Sequence, residues 1–176
     1  VAVQSSKTVI EKTGACGVKL EGGASIAAQI EAITSEGIPV LGHIGLLPQK
    51  FSQTSDFRIT GKDANEAEQL QKDADAVTNA GAFGIVLEGI IEPVARVLSE
   101  RATIPLIGIG ASPNCQGQIL VTDDLIGLYA DFTPKFVKQY ANVQSIIREA
   151  AQAYAEDVIS QRFPEDLHCF WPLKND

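Results

Sequence analysis

Four short apolar runs in this sequence end in residues able to bind or move charge. They are Lys19 with Glu21, His43, Glu88, and the glycine turn Gly108-Ile-Gly-Ala-Ser112. Lys19 and Glu21 stand two apart, so on a strand their side chains share one face. Turned inward, each charge is costly to bury unless it is paired or bound to something. The pair therefore reads either as an ion pair filling an interior or as part of a site. Glu88 follows Ile85-Val-Leu87 and precedes Ile90-Ile91. Poor solvation makes a carboxylate a stronger base, which suits proton abstraction near neutrality; the competing role is a cap for the next helix. His43, between Gly42 and Ile44, could donate to an oxyanion, orient a neighbour, or be a satisfied core residue. His168, near the tail, reads as structural. Gly108-x-Gly110 lacks the third glycine of a dinucleotide fingerprint and no helix start follows at once, so NAD is not indicated. It reads instead as a turn that lets a strand end approach a substrate closely.

The elements that must carry these residues repeat four times. A helical pattern is followed by a glycine or small stop, a short apolar run, and a polar or glycine-rich end. Helical patterns are expected over 3–13, 24–36, 65–80 and 93–102, with strands over 17–23, 38–45, 83–89 and 104–110. Ile26, Ile30 and Ile33 form one helical stripe; Ala67, Leu70, Ala74 and Val77 form another. Gly14, Gly37 and Gly81 fall where a left-handed C-terminal residue is wanted. Runs apolar at consecutive positions suit parallel strands covered on both faces. A fifth strand is expected over 118–121, then helices near 134–140 and 142–162. Pro93 and Pro134 suit first-turn positions. Val18 to Val40 and Val86 to Ile107 are each one strand–helix–strand step, whereas Val40 to Val86 is about twice that. The excess is a polar loop over 48–61, suited to covering a site. This alternation means a doubly wound sheet or a (β/α)8 barrel. The barrel is favoured because its chemistry sits at the C-terminal ends of several strands, where Lys19, Glu21, His43 and Glu88 fall. Val18 and Leu20 should then pack outward against helices while Lys19 and Glu21 face the interior.

Bulk properties narrow the function classes. With 45% apolar and 20% charged residues the 176-residue chain reads as one globular domain. A net charge of −8, from 14 basic and 22 acidic residues, disfavours nucleic acid. No apolar stretch approaches the roughly 18 residues of a membrane span, and no secretory signal opens the chain. Cys16, Cys115 and Cys169 are odd in number and widely spaced, so neither a disulfide framework nor a thiolate zinc site is indicated. A reducing compartment follows: the cytoplasm, or a mitochondrion in a eukaryote. Cys16 is expected to fill space in a strand.

At its strand ends the chain resembles ketopantoate hydroxymethyltransferase. The resemblance rests on Val18-Lys-Leu-Glu-Gly-Gly23, Pro39-Val-Leu-Gly-His-Ile-Gly-Leu-Leu-Pro-Gln49, Leu87-Glu88 and Ile104-Pro-Leu-Ile-Gly-Ile-Gly-Ala111. It continues through Gly117-Gln-Ile-Leu-Val121, Asp124-Leu-Ile-Gly127, Pro134-Lys-Phe136 and Phe163-Pro-x-x-x-His168. The resemblance implies Mg2+-assisted transfer of a hydroxymethyl group from 5,10-methylenetetrahydrofolate to 3-methyl-2-oxobutanoate, giving ketopantoate for pantothenate synthesis. It also implies a homo-oligomer, decameric in the family. By resemblance Glu88 matches the proton acceptor, Lys19 and His43 the substrate-binding residues, and Glu21 the glutamate of the magnesium site.

The chain has no methionine, even at position 1, and opens as if within a helix. The family's other magnesium carboxylates lie on earlier strands, and five strands are visible where a closed barrel has eight. The sequence is therefore expected to be the last five strand–helix units of the barrel, inactive alone. Ser112-Pro-Asn-Cys-Gln116 and Tyr129-Ala-Asp-Phe132 look divergent. Two other readings stay open: a related Mg2+-dependent keto-acid lyase or mutase barrel without folate, and a non-catalytic relative serving as an assembly partner.

Overall fold

The computed structural model describes residues 1–50, 58–129 and 132–172. It divides into two compact units, Val1–Leu120 and Val121–Asp176.

The first unit alternates helix and strand: α1 (Ala2–Thr13), β1 (Val18–Glu21), α2 (Ala27–Thr34), β2 (Val40–Gly45), α3 (Ala64–Asn79), β3 (Gly84–Glu88), α4 (Glu92–Arg101), β4 (Leu106–Ile109) and β5 (Gly117–Gln118). The five strands form one sheet in sequential order, and every neighbouring pair is parallel. The helix boundaries have local causes. Gly14 takes φ 70° and returns its amide to Ile10, ending α1. Gly37 and Gly81 are likewise left-handed beyond α2 and α3. Asp63 caps α3 by accepting from the Glu66 amide at 2.9 Å. Pro93 occupies the first turn of α4.

One face of the sheet carries the core. Val18 and Leu20 of β1, Val40 and Ile44 of β2, Ile85 and Leu87 of β3, and Leu106 of β4 pack into one cluster. Against them lie Ile30 and Ile33 of α2, Leu70, Ala74 and Val77 of α3, and Ala95 and Leu98 of α4. Fully burying one such side chain contributes about 1.5–3 kcal/mol, so this face dictates the pleat. The alternate strand positions, Lys19, Glu21, His43, Val86, Glu88, Ile107 and Ile109, belong to the opposite face. The outward packing expected of Val18 and Leu20 is found.

Several expectations need correction. The second helical pattern begins as a tight 3-10 turn over Ala24–Ile26, and α2 proper starts only at Ala27. The fifth strand is two residues, Gly117–Gln118, because after Ile119 donates to the Gly108 carbonyl the chain leaves the sheet. Cys16 fills no strand: it is exposed in the bend before β1, whereas Cys115 is the buried thiol. In the loop expected over 48–61, Pro48–Lys50 form a 3-10 turn. Thr60 bridges to Ile90, and residues 51–57 lie outside the described residues.

The second unit contains α5 (Thr122–Leu125) and α6 (Val143–Ile159). Asn142 caps α6 by accepting from the Ser145 amide at 3.1 Å. The Phe163 ring, beyond α6, meets the Tyr154 ring of that helix edge to face at 5.5 Å. No helix forms over 134–140; the Val137 amide closes a single turn onto the Pro134 carbonyl. Pro134 therefore opens a turn, not a helix. Among the described residues no helix is long and apolar enough to cross a membrane.

Candidate active site

The register of the sheet assembles the site. Glu21 is the register partner of His43, and His43 of Val86. Glu88 lies one pleat beyond Val86, so Glu21, His43 and Glu88 emerge side by side from three adjacent strands. Their C-terminal strand ends supply the carboxylates, and the middle strand supplies the imidazole between them.

The distances follow. His43 Nδ1 is 3.6 Å from Glu21 Oε1, and His43 Nε2 is 3.2 Å from Glu88 Oε2. Lys19 Nζ lies 3.9 Å from Glu21 Oε1. The Gln49 amide donates to Glu21 Oε2 at 3.4 Å. His43 is only 1% exposed, so water does not solvate its ring, whereas the Lys19 side chain is 46% exposed. The two glutamates are intermediate, with side chains 14% and 18% exposed.

Among the described residues neither ring nitrogen of His43 has a hydrogen-bond partner, although each has a carboxylate at close range. Glu21 Oε1 is too distant for a hydrogen bond to the ring, and Glu88 Oε2 is within range without forming one. Val86, 2% exposed, stands between the His43 and Glu88 positions on the same face. It adds an apolar surface to the face that carries them.

All four residues read from the sequence are thus brought together on one face. Lys19 differs from expectation in being open to solvent, its side chain 46% exposed. The glycine turn differs more. A side chain at Gly108 would meet the Gln118 amide at 2.9 Å and Cys115 Sγ at 3.1 Å, on the helix side of the sheet. Gly108 therefore makes room for Gln118 and Cys115, not for a substrate. The Gln49 amide beside Glu21 was not anticipated; its trace in the sequence is Pro48-Gln49, which Leu46 and Leu47 separate from the end of β2 at Gly45. His168 accepts from the Glu165 amide at 3.1 Å, the structural role expected of it.

A cavity of about 330 Å³ lies elsewhere, lined by Ile44, Leu70, Gln69 and Asp73 among others. Its acidic groups are already engaged: Asp73 accepts from the Ala24 amide and Gln69, and Glu66 from the Gly61 and Lys62 amides. It contains none of the four candidate residues.

The described residues do not make a magnesium site by themselves. No group of three or more histidine, cysteine, aspartate or glutamate side chains among them is placed to hold a metal ion. Magnesium requires near-octahedral oxygen ligation, and Glu21 offers one carboxylate already turned toward His43, Lys19 and the Gln49 amide.

A lysine, two carboxylates and a buried imidazole thus stand together at parallel strand ends, groups able to bind charge and to move a proton. Comparison with known proteins bears on their use. Residues 1–166 match the sequence profile described as ketopantoate hydroxymethyltransferase. The chain belongs to that family. It is 51% identical over 173 residues to the 3-methyl-2-oxobutanoate hydroxymethyltransferase of Paramagnetospirillum magneticum, covering 98% of this chain and 63% of that protein. The enzyme of the same name from Clostridium beijerinckii is 51% identical over 169 residues, 96% of this chain and 62% of that protein. That of Rhizobium rhizogenes is 43% identical over 173 residues, 98% and 63%. The chain therefore spans somewhat less than two thirds of the length of the curated relatives it matches.

Proposed function

We propose that the protein carrying this chain transfers a hydroxymethyl group from 5,10-methylenetetrahydrofolate to 3-methyl-2-oxobutanoate, giving ketopantoate, a step of pantothenate synthesis. The observation that carries the proposal is Glu88, a carboxylate 18% exposed against the buried His43 ring, on the strand face that also presents Lys19. In this family that pairing suits one task. Lys19 receives the keto-acid carboxylate, and Glu88 removes the proton from C3, leaving an enolate whose carbon attacks the one-carbon unit of the folate. Taking up water in the course of the transfer balances the products, ketopantoate and tetrahydrofolate. A fixed cation beside the developing enolate charge lowers the barrier, and Lys19 is the cation this chain provides. Glu21 would supply one oxygen ligand to the magnesium ion that the family resemblance implies; the other ligands are not among the described residues.

The sequential parallel order, with no reversal, supports reading Val1–Leu120 as part of a (β/α)8 barrel, since doubly wound sheets reverse at a switch point. Helix packing on one sheet face only supports the same reading. A homo-oligomeric assembly and a cytoplasmic setting complete the proposal by resemblance.

The test is isotope exchange. In the full-length protein Glu88→Gln should abolish exchange of the keto acid's C3 proton with deuterium oxide, with folate left out. Loss of a positioned base lowers such a rate on the order of 10²–10⁴-fold. Exchange at the wild-type rate in the variant removes Glu88 from the role of base.

A further inference from the structure

We infer that His43 is the positioning residue for Glu88, acting through its Nε2–H. The inference rests on the reading of Glu88 as base and goes beyond it by naming what orients that base. A neutral imidazole carries one N–H and one lone pair, and an ionised carboxylate only accepts. Distance therefore decides which carboxylate a ring N–H can serve. Glu88 Oε2 at 3.2 Å is at the limit of N–H···O distance; Glu21 Oε1 at 3.6 Å is beyond it. The proton belongs on Nε2. The bond itself is not formed in this structure. Catalytic hydrogen bonds in unliganded sites are commonly long and misaligned and tighten once substrate is bound. With Oε2 so held, Oε1 is left to take the proton from carbon. At 1% exposure the ring cannot be replaced by water. Its backbone is fixed as well: the His43 carbonyl accepts from the Gly22 amide at 2.9 Å.

The experiment uses the different reach of two amides. Glutamine places its NH2 near the position of imidazole Nε2; asparagine places its own near Nδ1. In the full-length protein with Mg2+ and keto acid supplied, C3 exchange is measured for wild type, Glu88→Gln, His43→Gln, His43→Asn and His43→Leu. Rates are taken per folded molecule from melting curves. The expected result is a silent Glu88→Gln and a His43→Gln within about fivefold of wild type. His43→Asn and His43→Leu should be slowed about tenfold to a hundredfold in kcat with KM little changed, the scale on which a misplaced group costs rate. A ring that merely packs gives no advantage to glutamine. If Glu88→Gln is silent but His43→Gln is no faster than His43→Asn, the positioning role is overturned while the base stands. If Glu88→Gln exchanges normally, the base falls and the positioning role with it.

Discussion

His43 and Glu88 meet at 3.2 Å because Glu88 stands one pleat beyond Val86, the register partner of His43. The contact belongs to the pairing of β2 with β3 more than to either side chain. A slip of one residue in that pairing would turn Glu88 toward the helix-packed face and break the site.

Gly45 secures this register at its outer end. It pairs with Glu88 at φ 95°, and a Cβ there would lie 2.3 Å from the Glu88 carbonyl oxygen and 2.8 Å from Ile90 Cγ1. Gly37 also has a positive φ, 75°, but nothing lies within 4 Å of a Cβ placed there. Gly37→Ala should therefore cost about 1–2 kcal/mol of left-handed strain and leave proton exchange alone. Gly45→Ala adds backbone displacement to the strain. It should cost roughly 3 kcal/mol or more and slow exchange by moving Glu88. Denaturant unfolding and C3 exchange measure both. Equal stability losses in the two variants, with exchange intact, would show that Gly45 does not hold the register.

Much of this was legible in the residues. Stripes such as Leu70, Ala74 and Val77, each closed by a glycine, marked the helices because burial demands one apolar face. Period-two alternation placed Lys19 with Glu21 and put Val18 and Leu20 on the core side. What failed needed knowledge of partners. Pro134 suits a helix start and a turn equally, and Phe136, Val137 and Tyr140 keep helical spacing although only one turn closes there. Gly108 could be given a face only once its register with Gln118 was known. The approach of His43 to two carboxylates at once is likewise a property of register, not of composition.

Lys19 offers a separable test, because its structural role is slight. Its side chain is 46% exposed and 3.9 Å from Glu21, and such pairs contribute about 0–1 kcal/mol to stability. A charge-assisted bond to a bound carboxylate is worth about 1.5–3 kcal/mol, or roughly tenfold to a hundredfold in affinity. Lys19→Met should raise the keto-acid KM by about that factor while the melting temperature scarcely moves. An unchanged KM would take Lys19 out of the binding site.

Glu21 is the residue whose two roles predict different numbers. It lies 3.6 Å from His43 Nδ1 and receives the Gln49 amide at 3.4 Å, so it could serve only as a strut for the imidazole. It could also lend one oxygen to a divalent cation completed by ligands beyond the described residues, as the family resemblance implies. Glu21→Gln keeps the shape and an acceptor oxygen but removes the charge. A strut would survive this nearly intact, since the oxygen facing His43 remains. A cation ligand would not, because magnesium binds carboxylate oxygen by charge and demands near-ideal geometry. The expected outcome in the full-length protein is a rise of about tenfold to a hundredfold in the Mg2+ concentration that half-saturates exchange. Activity should recover at high Mg2+. A titration curve that does not shift, with a lowered plateau, would make Glu21 a strut and place the metal ligands wholly on other residues.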